Sequence, residues 1–94
     1  MTPKQVLESS SSTTAERRQA LQDWARAQPK MSVDCHGNIR GVGQDRRIKL
    51  GPGSVRYERK DPGGWHRIAS APYSHIRVTD NGAITGWTPR LKKG

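Results

Sequence analysis

Basic and aromatic side chains alternate in the second half of this chain, a pattern suited to contact with nucleic acid. Arg56 and Tyr57 precede an Asp-Pro-Gly-Gly turn, and Trp65 and Arg67 follow it. Arginine and lysine pair with phosphates, and an exposed Trp or Tyr can stack on an unpaired base for about 1–3 kcal/mol. With the cations of neighbouring segments, the candidate nucleic-acid-binding residues are Arg47, Lys49, Arg56, Tyr57, Arg59, Trp65, Arg67 and Arg77. Because other large apolar side chains are few, the alternative for Tyr57 and Trp65 is a place in the core.

Three histidines, His36, His66 and His75, add the possibility of general acid–base catalysis. In a metal-independent ribonuclease, one histidine accepts the 2′-hydroxyl proton, another protonates the leaving oxygen, and Arg or Lys stabilises the charged phosphorane. The alternative that we favour is three unrelated surface or turn residues, so we expect a binding module and keep the ribonuclease second. The chain has no zinc-finger spacing of Cys and His, no Walker loop and no HExxH motif. We therefore expect neither a metal nor another cofactor.

The net charge points to a polyanionic partner. The chain has 17 Lys and Arg against 8 Asp and Glu, which gives a formal net charge of +9. Such an excess opposes compaction by self-repulsion, and it is typical of proteins that bind a polyanion. Nucleic acid is the first candidate, and RNA or a single strand suits exposed aromatics better than duplex DNA does. An acidic protein surface is the competing partner, in which case the chain would act as an interaction or inhibitor protein.

Length and composition exclude several classes of protein. A chain of 94 residues is one small domain at most, too short for a dinucleotide-binding fold or a large enclosed active site. No apolar stretch is long enough to span a membrane, and the first residues lack the apolar region of a secretory signal. The lone Cys35 cannot form an internal disulfide, so we expect a cytoplasmic protein without a membrane partner. Its size and charge also suit an accessory protein encoded by a phage or plasmid.

The first third of the chain predicts a tail and one helix. Residues 1–12 include a serine run that cannot bury surface, and we interpret them as a flexible tail. Thr13 and Glu16 have the spacing of a capping box, which predicts a helix over residues 14–28. Leu21 and Trp24 lie on one face of this helix and are expected to dock it on the rest of the domain.

After the helix the hydrophobic period changes to two, which predicts a β-rich segment over residues 31–88. Val33-x3-Gly37-x-Ile39-x-Gly41 recurs 45 residues later as Val78-x3-Gly82-x-Ile84-x-Gly86, as in two similar hairpins. Asn81-Gly82 predicts a two-residue turn with positive φ at both positions. We expect an α+β domain over residues 13–94, in which a helix precedes a small antiparallel sheet or barrel. It should have five to seven short strands, the size of an SH3-like or OB-like domain, and a basic tail at residues 89–94.

Overall fold

The computed structural model describes residues 1–88 and has the predicted α+β architecture, with a helical layer followed by short antiparallel strands. The elements are α1 (Pro3–Glu8), α2 (Thr14–Arg26), β1 (Ser32–Val33), β2 (Ile39–Arg40), β3 (Arg46–Leu50), β4 (Ser54–Asp61), β5 (Gly64–Pro72), a 3₁₀-helix (Tyr73–His75), β6 (Arg77–Val78) and β7 (Ile84–Thr85). The basic tail predicted at residues 89–94 lies outside the described residues.

Helix α1 occupies the segment for which the sequence predicts a flexible tail. Thr2 and Gln5 form a reciprocal capping box at its start, and Pro3 is the first helical residue. A helix of this length is not stable alone in water, so it depends on tertiary contacts. Those contacts come from Leu7, whose side chain is 0% exposed, and from Arg17 of α2, which donates to the Leu7 carbonyl.

Helix α2 begins at the predicted capping box, in which Thr13 and Glu16 exchange hydrogen bonds with each other's backbone N–H. It ends at Arg26, two residues before the predicted end. Leu21 and Trp24 are buried, as their spacing predicts, and the Trp24 indole Nε1 donates to the carbonyl of Thr79 at 3.2 Å. The helix therefore anchors the second hairpin as well as the core.

Over residues 1–88 the strands form two antiparallel sheets and do not close into a barrel. Five strands are ordered β1-β2-β3-β4-β5, and β6 pairs with β7 separately. One face of the larger sheet and the helical layer share a single hydrophobic core. Its buried residues are Leu7, Ala20, Leu21, Trp24, Ala25, Ile39, Ile48, Val55, Ala71, Tyr73, Ile76 and Val78. Trp65 is not among them, which removes the core alternative for this residue.

The internal repeat corresponds to two hairpins of the same construction, β1–β2 and β6–β7. In both, a glycine of positive φ follows the second strand at the same position, Gly41 with φ +87° and Gly86 with φ +96°. The predicted two-residue turn at Asn81-Gly82 is wrong: Gly82 has a φ of +95°, but Asn81 is not among the positive-φ residues. The loop is longer because the side chain of Thr79 accepts from Ala83 N and starts a five-residue turn.

Candidate nucleic-acid interface

The register of the five-stranded sheet gathers most of its cations on one face. Directly opposed residues of antiparallel strands share a face, and these pairs are Arg40–Arg47, Arg47–Glu58, Lys49–Arg56, Glu58–Arg67 and Lys60–Trp65. We call this the basic face, and it lies opposite the face that carries Ile48 and Val55 of the core. Its members are six cations, one carboxylate and one tryptophan: Arg40, Arg47, Lys49, Arg56, Lys60, Arg67, Glu58 and Trp65.

A β-bulge in β5 decides which face Trp65 occupies. Opposite Tyr57 and Glu58 the register shifts by one residue, and Ile68 is the extra residue of β5. Without the bulge, Trp65 and Arg67 would share the core face with Ala71, since all three positions are odd-numbered. The bulge reverses the alternation, so that Ala71 packs in the core while Trp65 and Arg67 belong to the basic face.

Trp65 lies at the centre of a group of cations. The guanidinium carbon of Arg47 is 4.2 Å from the centroid of the indole ring, and that of Arg40 is 5.3 Å away. The ammonium nitrogen of Lys60 is 6.0 Å from the same centroid. A cation over an aromatic face is attracted by the ring quadrupole, by about 0.5–1 kcal/mol at exposed sites. The partly buried indole is therefore positioned by its cationic neighbours rather than by an apolar pocket.

The one carboxylate of the basic face belongs to Glu58, which is 6% exposed. Its Oε1 accepts a 2.7 Å hydrogen bond from Arg47 Nε, so the pair is charge-assisted and its geometry is tight. Arg40 has a longer contact, 3.7 Å, to the Asp34 carboxylate in the β1–β2 turn. Within residues 1–88, the remaining four cations of the face make no ion pair: Lys49, Arg56, Lys60 and Arg67.

Three candidates predicted from the sequence lie away from the basic face. Tyr57 is on the core side of β4, where its ring meets that of Trp87 edge-on with centroids 5.6 Å apart. Arg59 lies on the same side as Tyr57, opposite Arg46 at the end of the sheet. Arg77 is in the separate β6–β7 sheet, where Nη1 donates to nearby backbone carbonyls at 2.8 and 2.9 Å. The other five candidates lie together on the basic face: Arg47, Lys49, Arg56, Trp65 and Arg67.

Arg40 and Lys60 are members of the face that the candidate list misses. Lys60 continues the alternation of Arg56 along β4, so its position is readable from the sequence. Arg40 is not readable in this way, because its place depends on the pairing of the short strand β2 with β3. Strand pairing between segments of two residues leaves no periodic signal.

The helical layer uses its cations for internal contacts. Arg17 donates to the carbonyls of Leu7, Ser9 and Ser12, and Arg18 donates to those of Gly51 and Pro52. Two further contacts are the salt bridges Arg26–Asp23 at 3.4 Å and Lys4–Asp80 at 3.9 Å. Within residues 1–88, the cations that make no such internal contacts are therefore concentrated on the sheet.

The three histidines lie on separate elements. His36 is in the β1–β2 turn, His66 is near the start of β5, and His75 ends the 3₁₀-helix that follows β5. From His66 to the end of β5 is roughly 20 Å of extended strand. His66 Nε2 contacts Asp61 Oδ1 at 2.9 Å. The Gly63 N–H and then His66 hold the pKa of Asp61 below its usual value. This arrangement fits a turn contact better than an acid–base pair.

Comparison of the chain with protein-family models, with curated proteins and with solved structures gave no match. Among residues 1–88, no helix has the length and apolar character needed to cross a membrane. The same residues contain no cluster of three or more His, Cys, Asp or Glu side chains with the arrangement of a metal site.

Proposed function

We propose that this protein is a non-enzymatic nucleic-acid-binding module that contacts phosphates with the basic face and favours RNA or single-stranded nucleic acid. The observation that carries the proposal is the charge of this face, six cations against one carboxylate, with that carboxylate already paired to Arg47. Like charges on neighbouring strands destabilise a sheet, so a fold gains nothing from such a face by itself. A phosphate backbone supplies the missing counter-charge.

The arrangement of the cations also suits a chain of phosphates. Lys49 and Arg56 oppose each other in one cross-strand row, and Lys60 lies four residues further along β4 than Arg56, about 13 Å in extended strand. Besides the group around Trp65, the cations thus extend along β4 and across to the neighbouring strands. An elongated polyanion can contact several of them at once, whereas a single small anion cannot.

The positions of the histidines favour binding over cleavage. A ribonuclease of the predicted type needs two histidines on the same scissile phosphate. His66 is near the start of β5 and His75 ends the 3₁₀-helix that follows it, so roughly 20 Å of extended strand, from His66 to Pro72, lies between them along the chain. The competing partner, an acidic protein surface, would use the same cations, and tryptophan is common in protein interfaces as well, so binding measurements have to separate the two.

The proposal is tested by binding measurements with fluorescent RNA, single-stranded DNA and duplex DNA at low salt. The double variant Arg56→Gln/Arg67→Gln removes two cations from the basic face. Its control, Arg26→Gln/Arg59→Gln, makes the same change in net charge at exposed positions on α2 and on the other side of the sheet. We expect the first variant to lose about a hundredfold or more in affinity, because two hydrogen bonds between charged groups are lost and each contributes about 1.5–3 kcal/mol. The control should bind like the wild type.

Two results would overturn the proposal. Equal losses in the two double variants would mean that net charge alone drives binding and that the basic face has no special role. Absence of binding to all three probes by the wild-type protein would leave an acidic protein surface as the partner.

A further inference from the structure

The one carboxylate of the basic face is in the wrong place for a surface that only attracts phosphates. Glu58 lies on the central strand of the basic cluster, between Arg47 on β3 and Arg67 on β5. A negative charge there repels a phosphate backbone, and its burial at 6% exposure adds a desolvation cost. The repulsion and the desolvation cost have to be offset by the contact that Glu58 makes, so the role of Glu58 is to hold another side chain in place.

Glu58 holds Arg47 against the indole of Trp65. The 2.7 Å contact between Glu58 Oε1 and Arg47 Nε fixes the guanidinium, and the guanidinium carbon is 4.2 Å from the ring centroid. A guanidinium is planar and stacks on aromatic rings, while a lysine ammonium offers only a point charge. The three groups are therefore linked in a fixed order: the carboxylate accepts from the edge of the guanidinium, and the guanidinium lies against the ring before any ligand arrives.

We infer that Glu58 is a positioning residue for an unpaired base, and that the ligand of this face is a single-stranded segment with one base stacked on Trp65. This inference rests on the proposed function. The base stacks on the indole, which Arg47 and Glu58 hold in position. Arg40 and Lys60, 5.3 and 6.0 Å from the ring centroid, are near enough to meet the phosphates that flank the stacked nucleotide.

Glu58→Gln should weaken the binding of a stacked single strand, the opposite of what simple electrostatics predicts. Glu58→Gln removes a negative charge from a surface that binds a polyanion, so the electrostatic effect on every nucleic acid is tighter binding. Loss of the ionic contact also loosens the Arg47 guanidinium against Trp65, and this weakens only ligands that place a base on the ring. The two effects separate when the ligands differ in bases but not in phosphates.

Three probes of equal phosphate number make this separation: a single-stranded oligonucleotide, the same oligonucleotide with abasic sites throughout, and a duplex. We expect Glu58→Gln to weaken binding to the single strand about threefold to tenfold and to strengthen or leave unaltered binding to the abasic strand and the duplex. Trp65→Ala should lose about fivefold to hundredfold on the single strand only, as expected for one stacked base. Trp65→Phe should restore part of that loss.

Arg47→Lys provides a second test with the charge unchanged, which keeps the inference falsifiable if Glu58→Gln melts at a low temperature. It should leave the salt dependence of binding as in the wild type. It should reduce the ratio of the affinity for the single strand that carries bases to the affinity for the abasic strand. Equal tightening of all three probes by Glu58→Gln, or an unchanged preference in Arg47→Lys, would overturn the inference and leave the proposed function intact. Failure of the wild type to bind any probe would instead overturn the proposed function.

Discussion

The guanidinium of Arg17 donates a 2.8 Å hydrogen bond to the carbonyl of Leu7, which ties the C-terminal end of α1 to α2. The same side chain donates to the carbonyl of Ser9 at 2.6 Å, and it is 6% exposed. Carbonyls at the end of a helix are unpaired within the helix and carry partial negative charge, so a cation is favourable there. The buried arginine therefore makes the first twelve residues part of the folded domain.

Replacement of Leu7 tests whether α1 contributes to stability. Leu7→Ala removes a side chain that is 0% exposed, and such changes cost about 2–5 kcal/mol. The control is Glu8→Ala on the exposed side of the same helix, which should change the free energy of unfolding by less than about 0.5 kcal/mol. Urea unfolding at equilibrium compares the two. Equal stability of both variants would mean that residues 1–12 form the flexible tail that the sequence predicts.

A second prediction concerns the repeated hairpins. A Cβ at Gly86 would come within 1.8 Å of the His75 carbonyl oxygen, and one at Gly41 would come within 2.0 Å of the Lys30 carbonyl oxygen. Because both glycines also have positive φ, Gly86→Ala and Gly41→Ala should each destabilise the domain by more than about 1 kcal/mol. That loss lowers the melting temperature by about 4–8 °C or more in a domain of this size.

The matched control for the hairpins is Gly53→Ala, since a Cβ at that position meets nothing within 4 Å. Its melting temperature should stay near that of the wild type or rise slightly, because alanine restricts the unfolded chain. A melting temperature of Gly86→Ala within a degree or so of this control would show that the hairpin does not need the close approach of the two backbones.

Asp34 makes the stability of the first hairpin depend on pH in the acid range. Burial opposes ionisation of this side chain, but the N–H groups of Asn38 and His36 outweigh it and hold the pKa of Asp34 below the ordinary 3.8. A carboxylate with a lowered folded pKa adds stability above its unfolded pKa, and this contribution is lost as the pH falls through the folded value. The second hairpin has Thr79 at the equivalent position, where its hydroxyl accepts from Ala83 N.

Asp34→Thr should therefore keep the turn at about pH 7 and lose part of the acid sensitivity below about pH 4. The measurement is the urea midpoint across this range for Asp34→Thr, the wild type and Asp80→Asn, a change at an exposed acid in the other hairpin. If the urea midpoint of Asp34→Thr falls with pH as steeply as that of the wild type, Asp34 is not the source of the acid sensitivity.

The sequence predicts β4 well and β5 poorly, and the bulge explains the difference. Strand β4 alternates without interruption, so Arg56, Glu58 and Lys60 share one face as their spacing indicates. In β5 the extra residue Ile68 reverses the faces between Arg67 and Ala69. A bulge adds one residue without a characteristic residue type at this site, so alternation alone assigns Trp65 to the core side.

Helix α1 and the turn of the second hairpin also differ from the sequence prediction, and in both cases the cause is a contact that local sequence patterns do not reveal. Helix α1 is too short to be predicted as stable from its own residues, because its stability comes from Leu7 in the core and from Arg17 ten residues later. The turn of the second hairpin is lengthened by the Thr79 side chain, which competes with the Asn81-Gly82 signal for the backbone N–H groups. The capped α2, by contrast, has a local signal and is predicted to within two residues.

Arg67 and Arg59 are two exposed arginines on opposite faces of the sheet, so substituting each in turn tests which face contacts nucleic acid. Both side chains are exposed, but Arg67 belongs to the basic face and Arg59 lies on the other side of the sheet. Arg67→Gln should make the slope of log K against log salt shallower by about one phosphate contact, roughly 0.7 for a single strand. Arg59→Gln should leave the slope as in the wild type. Equal changes in the two variants would contradict the division into faces.

The salt dependence of nucleic-acid binding by the wild-type protein tests the central claim most directly. Four cations of the basic face make no ion pair within residues 1–88, and three or four phosphate contacts are expected when a strand lies across them. Each contact contributes a slope of roughly −0.7 for a single strand or −0.9 for duplex DNA, so the account predicts a slope of about −2 to −4. A flat dependence of log K on log salt would contradict it, because binding would then release no counterions and the basic face would not be the site of contact.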